Sequence, residues 1–167
     1  ELRELLRELR AIVDERPGRM TVGELFDGTL ADAADLIEPR HLVFDFTLVA
    51  QPWSAAAFAR AVEARDAVFG RERWPANVLS NHDQPRQASR FAPAGDAADP
   101  AEGDARAKVA ATMLLSLRGT PFLYYGEEIG LGDVTVPRWE MQDPPARRYW
   151  PLPVWYDRDR CRGPMPW

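Results

Sequence analysis

Apolar residues recur at three- and four-residue steps from Leu2 through Leu5, Leu6, Leu9, Ile12 and Val13, with Glu and Arg filling the other positions. That spacing predicts an amphipathic helix, which Pro17-Gly18 ends. The short apolar run from Met20 to Gly23 then predicts a buried strand closed by the carboxylate of Glu24. The alternation continues. A helix over 30–37 is stopped by Pro39, and 42–46 reads as a second strand. Ser54 is placed to cap a helix running to about Phe69, with Ala55, Phe58, Ala61, Val62 and Val68 on its inner face, and 77–81 is a third strand. Residues 91–103, rich in Ala, Pro, Gly and Asp, read as a loop. A helix over 104–117 follows, apolar at Val109, Met113, Leu114 and Leu117, with Gly119 in the C-cap position. The fourth strand is 120–125, with Pro121 near its start, where a missing donor matters least.

After Gly126 the pattern breaks. Seven of the 15 prolines and four of the 6 tryptophans fall within 136–167, which predicts an irregular, aromatic-rich loop. No stretch repeats by identity; the repeat is architectural, four helix-and-strand units whose near-continuous apolar strands suit a parallel sheet buried on both faces. Four such units make half of an eight-stranded barrel or a small doubly wound sheet, and the pattern leaves sheet order and closure open.

Composition narrows the functional classes. The 167 residues are about one domain's worth, and 46% apolar with 28% charged residues is an ordinary globular balance. Twenty-one basic against 26 acidic residues give a net charge of -5, and Lys108 is the single lysine, so neither nucleic acid nor an anionic membrane is an expected partner. Cys161 is the single cysteine, which excludes a cysteine metal cluster or an internal disulfide and suits a reducing, cytoplasmic setting. No apolar run of 18 residues and no signal peptide is present. Glu1 opens directly on helical periodicity and Trp167 closes inside a loop, so the chain reads as a segment of a longer polypeptide.

Polar residues gather where apolar strands end, as both architectures require of an active site. Glu24 ends the first strand, and Asn81, His82 and Asp83 end the third. Asn, Asp and Pro85 in VLSNHDQPR also spell a turn. Glu24 is either paired with an arginine or a general acid in an apolar setting. Together these residues favour a carbohydrate site, because glycosidic cleavage needs a proton donor for the leaving oxygen and carboxylates facing an oxocarbenium-like centre. Two histidines, His41 and His82, with one cysteine and no H-E-x-x-H helix, make a metal site the weaker reading.

Four stretches make this specific. VGELFDG, VLSNHDQPRQASRF, GTPFLYYGEEIGL and RDRCRGPMPW resemble, in order and spacing, the later motifs of the α-amylase superfamily of glycoside hydrolases, within it the α-glucosidase and oligo-1,6-glucosidase group. The resemblance covers practically the whole chain. It implies an α/β fold, the TIM (β/α)8 barrel, with the four strands here as the fifth to the eighth. Residues 1–135 would then be the second half of the barrel and 136–167 a truncated loop after the last strand. Barrel strands facing the missing half would be unpaired edges, so an isolated segment is expected to be loosely packed and inactive.

Carried over residue by residue, the resemblance implies that Glu24 is the general acid/base and Asp83 the carboxylate that stabilises the distorted glucosyl ring. It implies that His82 and Arg162 bind the same sugar, with Arg86 at the rim of the site. Gly163 stands where the family commonly has Thr. The family's nucleophilic aspartate, in a G-F-R-x-D-type motif, has no counterpart here and would belong upstream. Glu127 and Glu128 are expected to be a structural carboxylate pair, and Asp27 and Asp45 turn or strand-end hydrogen-bonders. Trp139, Trp150, Trp155 and Trp167 are expected to pack the loop onto its barrel, with sugar stacking as the alternative. The implied activity is that of a retaining, exo-acting α-glucosidase on oligosaccharide or disaccharide α-glucosides. No cofactor is implied, and any calcium would sit on absent segments. Trehalose synthase or sucrose isomerase chemistry is the alternative, and a non-catalytic transporter-associated scaffold the second alternative, disfavoured because Glu24 and Asp83 are kept.

Overall fold

A computed structural model of the chain describes residues 1–25, 28–38, 40–93, 99–152 and 156–167. The expectations for Asp27, Pro39 and Trp155 lie outside the described residues. The chain packs as two compact units, one formed by Glu1–Val78 with Leu117–Phe122 and the other by Leu79–Ser116 with Leu123–Trp167. All four strands fall in the first unit, and the stretches that follow the third and fourth strands make up the second.

The first unit holds the sheet. Strands β1 (Val22–Gly23), β2 (Leu42–Asp45), β3 (Ala76–Val78) and β4 (Thr120–Phe122) are all parallel and lie in the order β1-β2-β3-β4. Every neighbour in sequence is a neighbour in the sheet. That is the order of a barrel segment; a doubly wound sheet crosses back past its first strand after the second or third. Pairing is in register at Val22 with Leu42, Phe44 with Ala76, and Ala76 with Thr120. The strands are shorter than predicted. The central pair β2 and β3 is mostly buried, whereas β1 and β4, at the two edges, are half-buried.

Helices cover this sheet by different means. Helix α1 (Leu2–Asp14) turns its arginine face to the unit: Arg3 pairs with Asp35 at 2.6 Å, Arg7 with Glu38 at 3.1 Å, and Arg10 donates to the Arg40 carbonyl at 2.7 Å. Its apolar stripe, Leu2, Leu5, Leu9 and Ile12, stays exposed. The Thr21 amide donates to His41 Nδ1 at 3.0 Å, which leaves the ring hydrogen on Nε2, 2.9 Å from Asp14 Oδ1. Helix α2 (Leu30–Asp35) begins with a reciprocal cap between Thr29 and Asp32. Its Ala33 and Ala34 meet Val43 and Phe69 in a buried cluster.

Helix α3 (Ala55–Phe69) starts at the Ser54 cap as predicted, but its buried face is Ala57, Phe58, Ala61, Arg65 and Phe69, whereas Ala55 and Val68 are exposed. The four-residue spacing of 57, 61, 65 and 69 passes through an arginine, which a hydropathy pattern places outside. Arg65 is 1% exposed, and its Nη1 donates to Asn77 Oδ1 on β3 at 2.7 Å. Its Nε and Nη2 hold Asp66, and it lies 3.9 Å from buried Asp45 on β2. Asp45 also accepts from the Thr47 amide at 2.9 Å, the strand-end role expected of it. Phe44 on β2 meets Phe122 on β4 edge to face at 4.8 Å.

Gly119 is not a helix cap, because the preceding helix ends at Ser116. Its φ is +133°, and a Cβ there would lie 2.6 Å from Asn77 Nδ2 and 2.8 Å from the Pro75 carbonyl. The glycine lets the chain entering β4 run against β3.

In the second unit, α4 (Gln87–Arg90) was not predicted, and α5 (Pro100–Ser116) begins four residues early. Asp99 accounts for that start, its carboxylate accepting from the Ala101 amide at 2.9 Å with Pro100 in the first turn. Ala110 and Leu114 are the buried residues of α5; Val109 points to solvent. The expected tail loop contains α6 (Pro144–Tyr149), preceded by Asp143, and 3-10 turns at Arg138–Glu140 and Arg158–Arg162. Among the described residues no helix is long and apolar enough to cross a membrane.

Candidate active site

The second unit brings together His82, Asp83 and Arg162 and adds residues that the sequence motifs did not mark. The Asp83 amide donates to Asn81 Oδ1 at 2.9 Å, so the turn foreseen in SNHDQP is real and itself presents the carboxylate. Arg162 Nη2 donates to Asp83 Oδ1 at 2.8 Å and Arg158 Nη1 to the same oxygen at 3.1 Å. His82 Nε2 lies 3.3 Å from the other oxygen, Oδ2. One carboxylate thus meets two guanidiniums and an imidazole. His82 and Asp83 keep a solvent-facing side.

The loop carrying the two arginines is held to the turn from several directions. Arg162 Nε and the Cys161 thiol both donate to the His82 carbonyl, at 2.8 and 3.3 Å. Burial pushes the Cys161 thiol above its ordinary pKa, so it is a packed donor rather than a nucleophile. The hydroxyls of Tyr124 and Tyr125 donate to the carbonyls of Cys161 and Gly163, at 3.2 and 2.6 Å. Tyr156 donates to Asp133 at 2.9 Å, and burial together with Asp133 raises its pKa. A Cβ on Gly163 would lie 2.8 Å from both methyls of Val134. Glycine at this position therefore fits Val134, and Arg162 keeps its aim through its own two hydrogen bonds.

Arg158 departs most from expectation. Its Nε and Nη2 donate to Asp143 Oδ1 at 3.0 and 2.5 Å, and its amide donates to Asp143 Oδ2 at 3.2 Å. Hydrogen bonding to Asp143 and the charge of both carboxylates raise the Arg158 pKa. Arg158 sits in the same RDRCR run as Arg162, and that run was its only signal; nothing in the spacing marks Asp143.

Other expected residues fall elsewhere. Glu24 directly follows β1 in the first unit, is exposed, and makes no hydrogen bond or ion pair among the described residues, so neither the arginine pairing nor the apolar setting is seen. Arg86 is not at a rim. It is 1% exposed, its guanidinium 4.7 and 4.4 Å from the ring centres of Tyr124 and Tyr125, and it donates to the Tyr125 carbonyl at 2.5 Å. Stacking on two aromatic faces suits a weakly hydrated guanidinium to burial. Glu127 is buried and bonded as a structural carboxylate, but Glu128 is exposed, since adjacent residues of a 3-10 turn point apart. Trp139, Trp150 and Trp167 are exposed rather than packed; Trp139 lines an open cleft with Arg138, Gln142 and Arg147. Among the described residues no group of three or more His, Cys, Asp or Glu is arranged to hold a metal.

A parallel sheet in barrel order, with a carboxylate set among arginines and a histidine in the stretch that follows the third strand, is the arrangement of a barrel-type catalytic domain. The family model described as the alpha amylase catalytic domain matches residues 1–167, and the chain belongs to that family. It is 34% identical to a probable alpha-glucosidase of Rhizobium meliloti (strain 1021) and 30% identical to an oligo-1,6-glucosidase of Parageobacillus thermoglucosidasius, each over 98% of this chain. It spans 29% and 34% of those two proteins, and so corresponds to a fragment of their length. Among solved structures, the alpha-glucosyl transfer enzyme XgtA superposes with a TM-score of 0.82 at 37% identity, covering 97% of this chain and 29% of that one. The trehalulose synthase MutB, as its A258V mutant, superposes with a TM-score of 0.77 at 25% identity, over 99% of this chain and 35% of its own.

Proposed function

We propose that the protein to which this chain belongs is a retaining, exo-acting α-glucosidase that releases α-glucose from oligosaccharide or disaccharide α-glucosides. The reading is carried by the Asp83 cluster, a carboxylate held by Arg158 and Arg162 beside His82 in a chain of the alpha-amylase family.

In this mechanism an aspartate supplied from outside the chain attacks the anomeric carbon while the Glu24 carboxylic acid protonates the departing glycosidic oxygen. The bond to the leaving sugar breaks as the glucosyl-enzyme ester forms. Glu24, now a carboxylate, takes a proton from water, which attacks the same carbon and releases α-glucose with the aspartate regenerated. Asp83 stabilises the positive charge that develops on the flattened ring, and His82 and Arg162 strengthen their hold on its hydroxyls at the same moment. The arginines give Asp83 a fixed direction, and a fixed charge costs little reorganisation when the transition state forms.

The test follows the first-formed anomer by proton NMR as the complete protein acts on maltose, isomaltose and an aryl α-glucoside. Initial release of α-glucose is expected. Initial release of β-glucose, or no turnover of any of the three, overturns the reading. The likeness to the alpha-glucosyl transfer enzyme XgtA supports a second reading, glucosyl transfer to an acceptor sugar. With maltose as substrate, new disaccharides in place of two glucoses would select that reading.

A further inference from the structure

We infer that Arg158 and Asp143 are positioning residues for Asp83, and that they leave Oδ2 as the oxygen that meets the sugar. The inference rests on the proposed role of Asp83 as the carboxylate facing the reacting ring.

Arg158 bridges two carboxylates with all three of its guanidinium nitrogens, Nε and Nη2 on Asp143 Oδ1 and Nη1 on Asp83 Oδ1 at 3.1 Å. The Asp143 side chain is fully buried, so the Arg158 head is gripped at its protected end. A planar fork held at two nitrogens cannot swing its third away by a simple rotation. Asp143 is itself fixed. Its amide donates to Asp159 Oδ2 at 2.9 Å, the Gln142 amide donates to the same oxygen, and the Asp159 amide donates to Asp157 Oδ1 at 3.1 Å. The strap before α6 and the turn Arg158–Arg162 therefore lock each other, and the lock ends on Asp83.

The two oxygens of Asp83 acquire different work. Oδ1 accepts from both Arg158 and Arg162, whereas Oδ2 faces His82 Nε2 at 3.3 Å. Anchoring one oxygen fixes the plane and reach of the other, and an error of about 1 Å in such a group is enough to slow the chemistry by roughly 10²-fold.

The experiment uses the complete protein and the variants Arg158→Ala, Arg158→Lys, Asp143→Asn and the Arg158→Ala/Asp143→Asn double, assayed on an aryl α-glucoside. Arg158→Ala is expected to lower kcat about 10²-fold with KM within about threefold, because orientation is lost and not ground-state binding. Added guanidinium at non-denaturing concentration should restore part of kcat saturably. Arg158→Lys keeps the charge but cannot bridge both carboxylates, so it should lose kcat nearly as far as alanine. Asp143→Asn should fall in kcat in the same way, and the double variant should be no worse than Arg158→Ala, since both act through one contact. Circular dichroism and the thermal midpoint establish that each variant is folded; if Arg158→Ala fails to fold, Arg158→Lys and Asp143→Asn carry the test. A folded variant with wild-type kcat, a loss confined to KM, multiplying losses in the double, or no rescue by guanidinium would each overturn the inference. A wild-type protein inactive on every α-glucoside would sink the α-glucosidase reading instead.

Discussion

The Ser80 hydroxyl donates to Oε1 of Glu127, a carboxylate that is 6% exposed and whose Oε2 accepts from the Tyr124 amide at 2.9 Å. Burial raises the Glu127 pKa above the ordinary glutamate range, and the Ser80 and Tyr124 donors with the Arg90 charge oppose it only in part. Between the ordinary value and the raised one, the folded protein keeps a proton that the unfolded chain has released. This contribution to stability is complete below the ordinary glutamate pKa and is lost as pH rises through the folded value. Glu127→Gln removes the titration. The unfolding free energy of the wild type minus that of Glu127→Gln, from urea denaturation across the acid-to-neutral range, should therefore fall as pH rises; a difference that stays flat or rises contradicts the assignment.

Arg65 and Asp45 supply the second prediction. Both are nearly fully buried, Asp45 Oδ2 accepts no hydrogen bond among the described residues, and Arg65 is the cation beside it at 3.9 Å. Arg65→Met leaves that carboxylate and Asn77 Oδ1 without their cation and donor. Removing one partner of a buried pair costs about 3–5 kcal/mol, read as a lower urea midpoint. Asp45→Asn added to Arg65→Met should recover part of the loss, because the stranded charge is gone.

Gly119→Ala is expected to destabilise through geometry alone. The positive φ disfavours any side chain, and one of the two atoms its Cβ would strike, the Pro75 carbonyl, is backbone that also accepts from the Thr120 amide at 2.9 Å. Backbone strain of this kind costs about 1–3 kcal/mol. A thermal midpoint equal to wild type would show that β3 and β4 are not held this close.

These residues also show where hydropathy reading succeeds and where it stops. Period and caps located α1 and α3, since Leu and Ala spacing and a Ser before an apolar run are local facts. They did not locate the face in use. On α1 the arginines make the contacts while Leu2, Leu5 and Leu9 stay exposed, and on α3 Arg65 is part of the buried row. An arginine reads as surface until its partners are known, and Asn77, Asp143 and the Tyr124–Tyr125 pair are 12 or more residues away in sequence from Arg65, Arg158 and Arg86 respectively. The same limit explains the site. NHD and RDRCR were legible as motifs, and three residues from them, His82, Asp83 and Arg162, meet in the cluster; Asp143 precedes a helix inside a stretch that reads as loop and becomes visible only through the contacts it makes.

Glu24 gives the last prediction. It is exposed and directly follows β1, and in the proposed mechanism it serves both steps, as acid for the leaving sugar and then as base for water. The two duties separate by leaving group. A 4-nitrophenolate needs no proton to depart, so in Glu24→Gln the first step should be slowed little with 4-nitrophenyl α-glucoside and heavily with maltose, by about 10²–10⁴-fold. The second step lacks its base with either substrate, so the glucosyl-enzyme should accumulate, with a burst of nitrophenolate followed by slow turnover. Azide, an anion that attacks without deprotonation, should relieve that slow phase and yield α-glucosyl azide. A Glu24→Gln protein that hydrolyses maltose at the wild-type rate would remove Glu24 from the mechanism. One that loses both substrates equally, with no burst and no response to azide, would make its role structural.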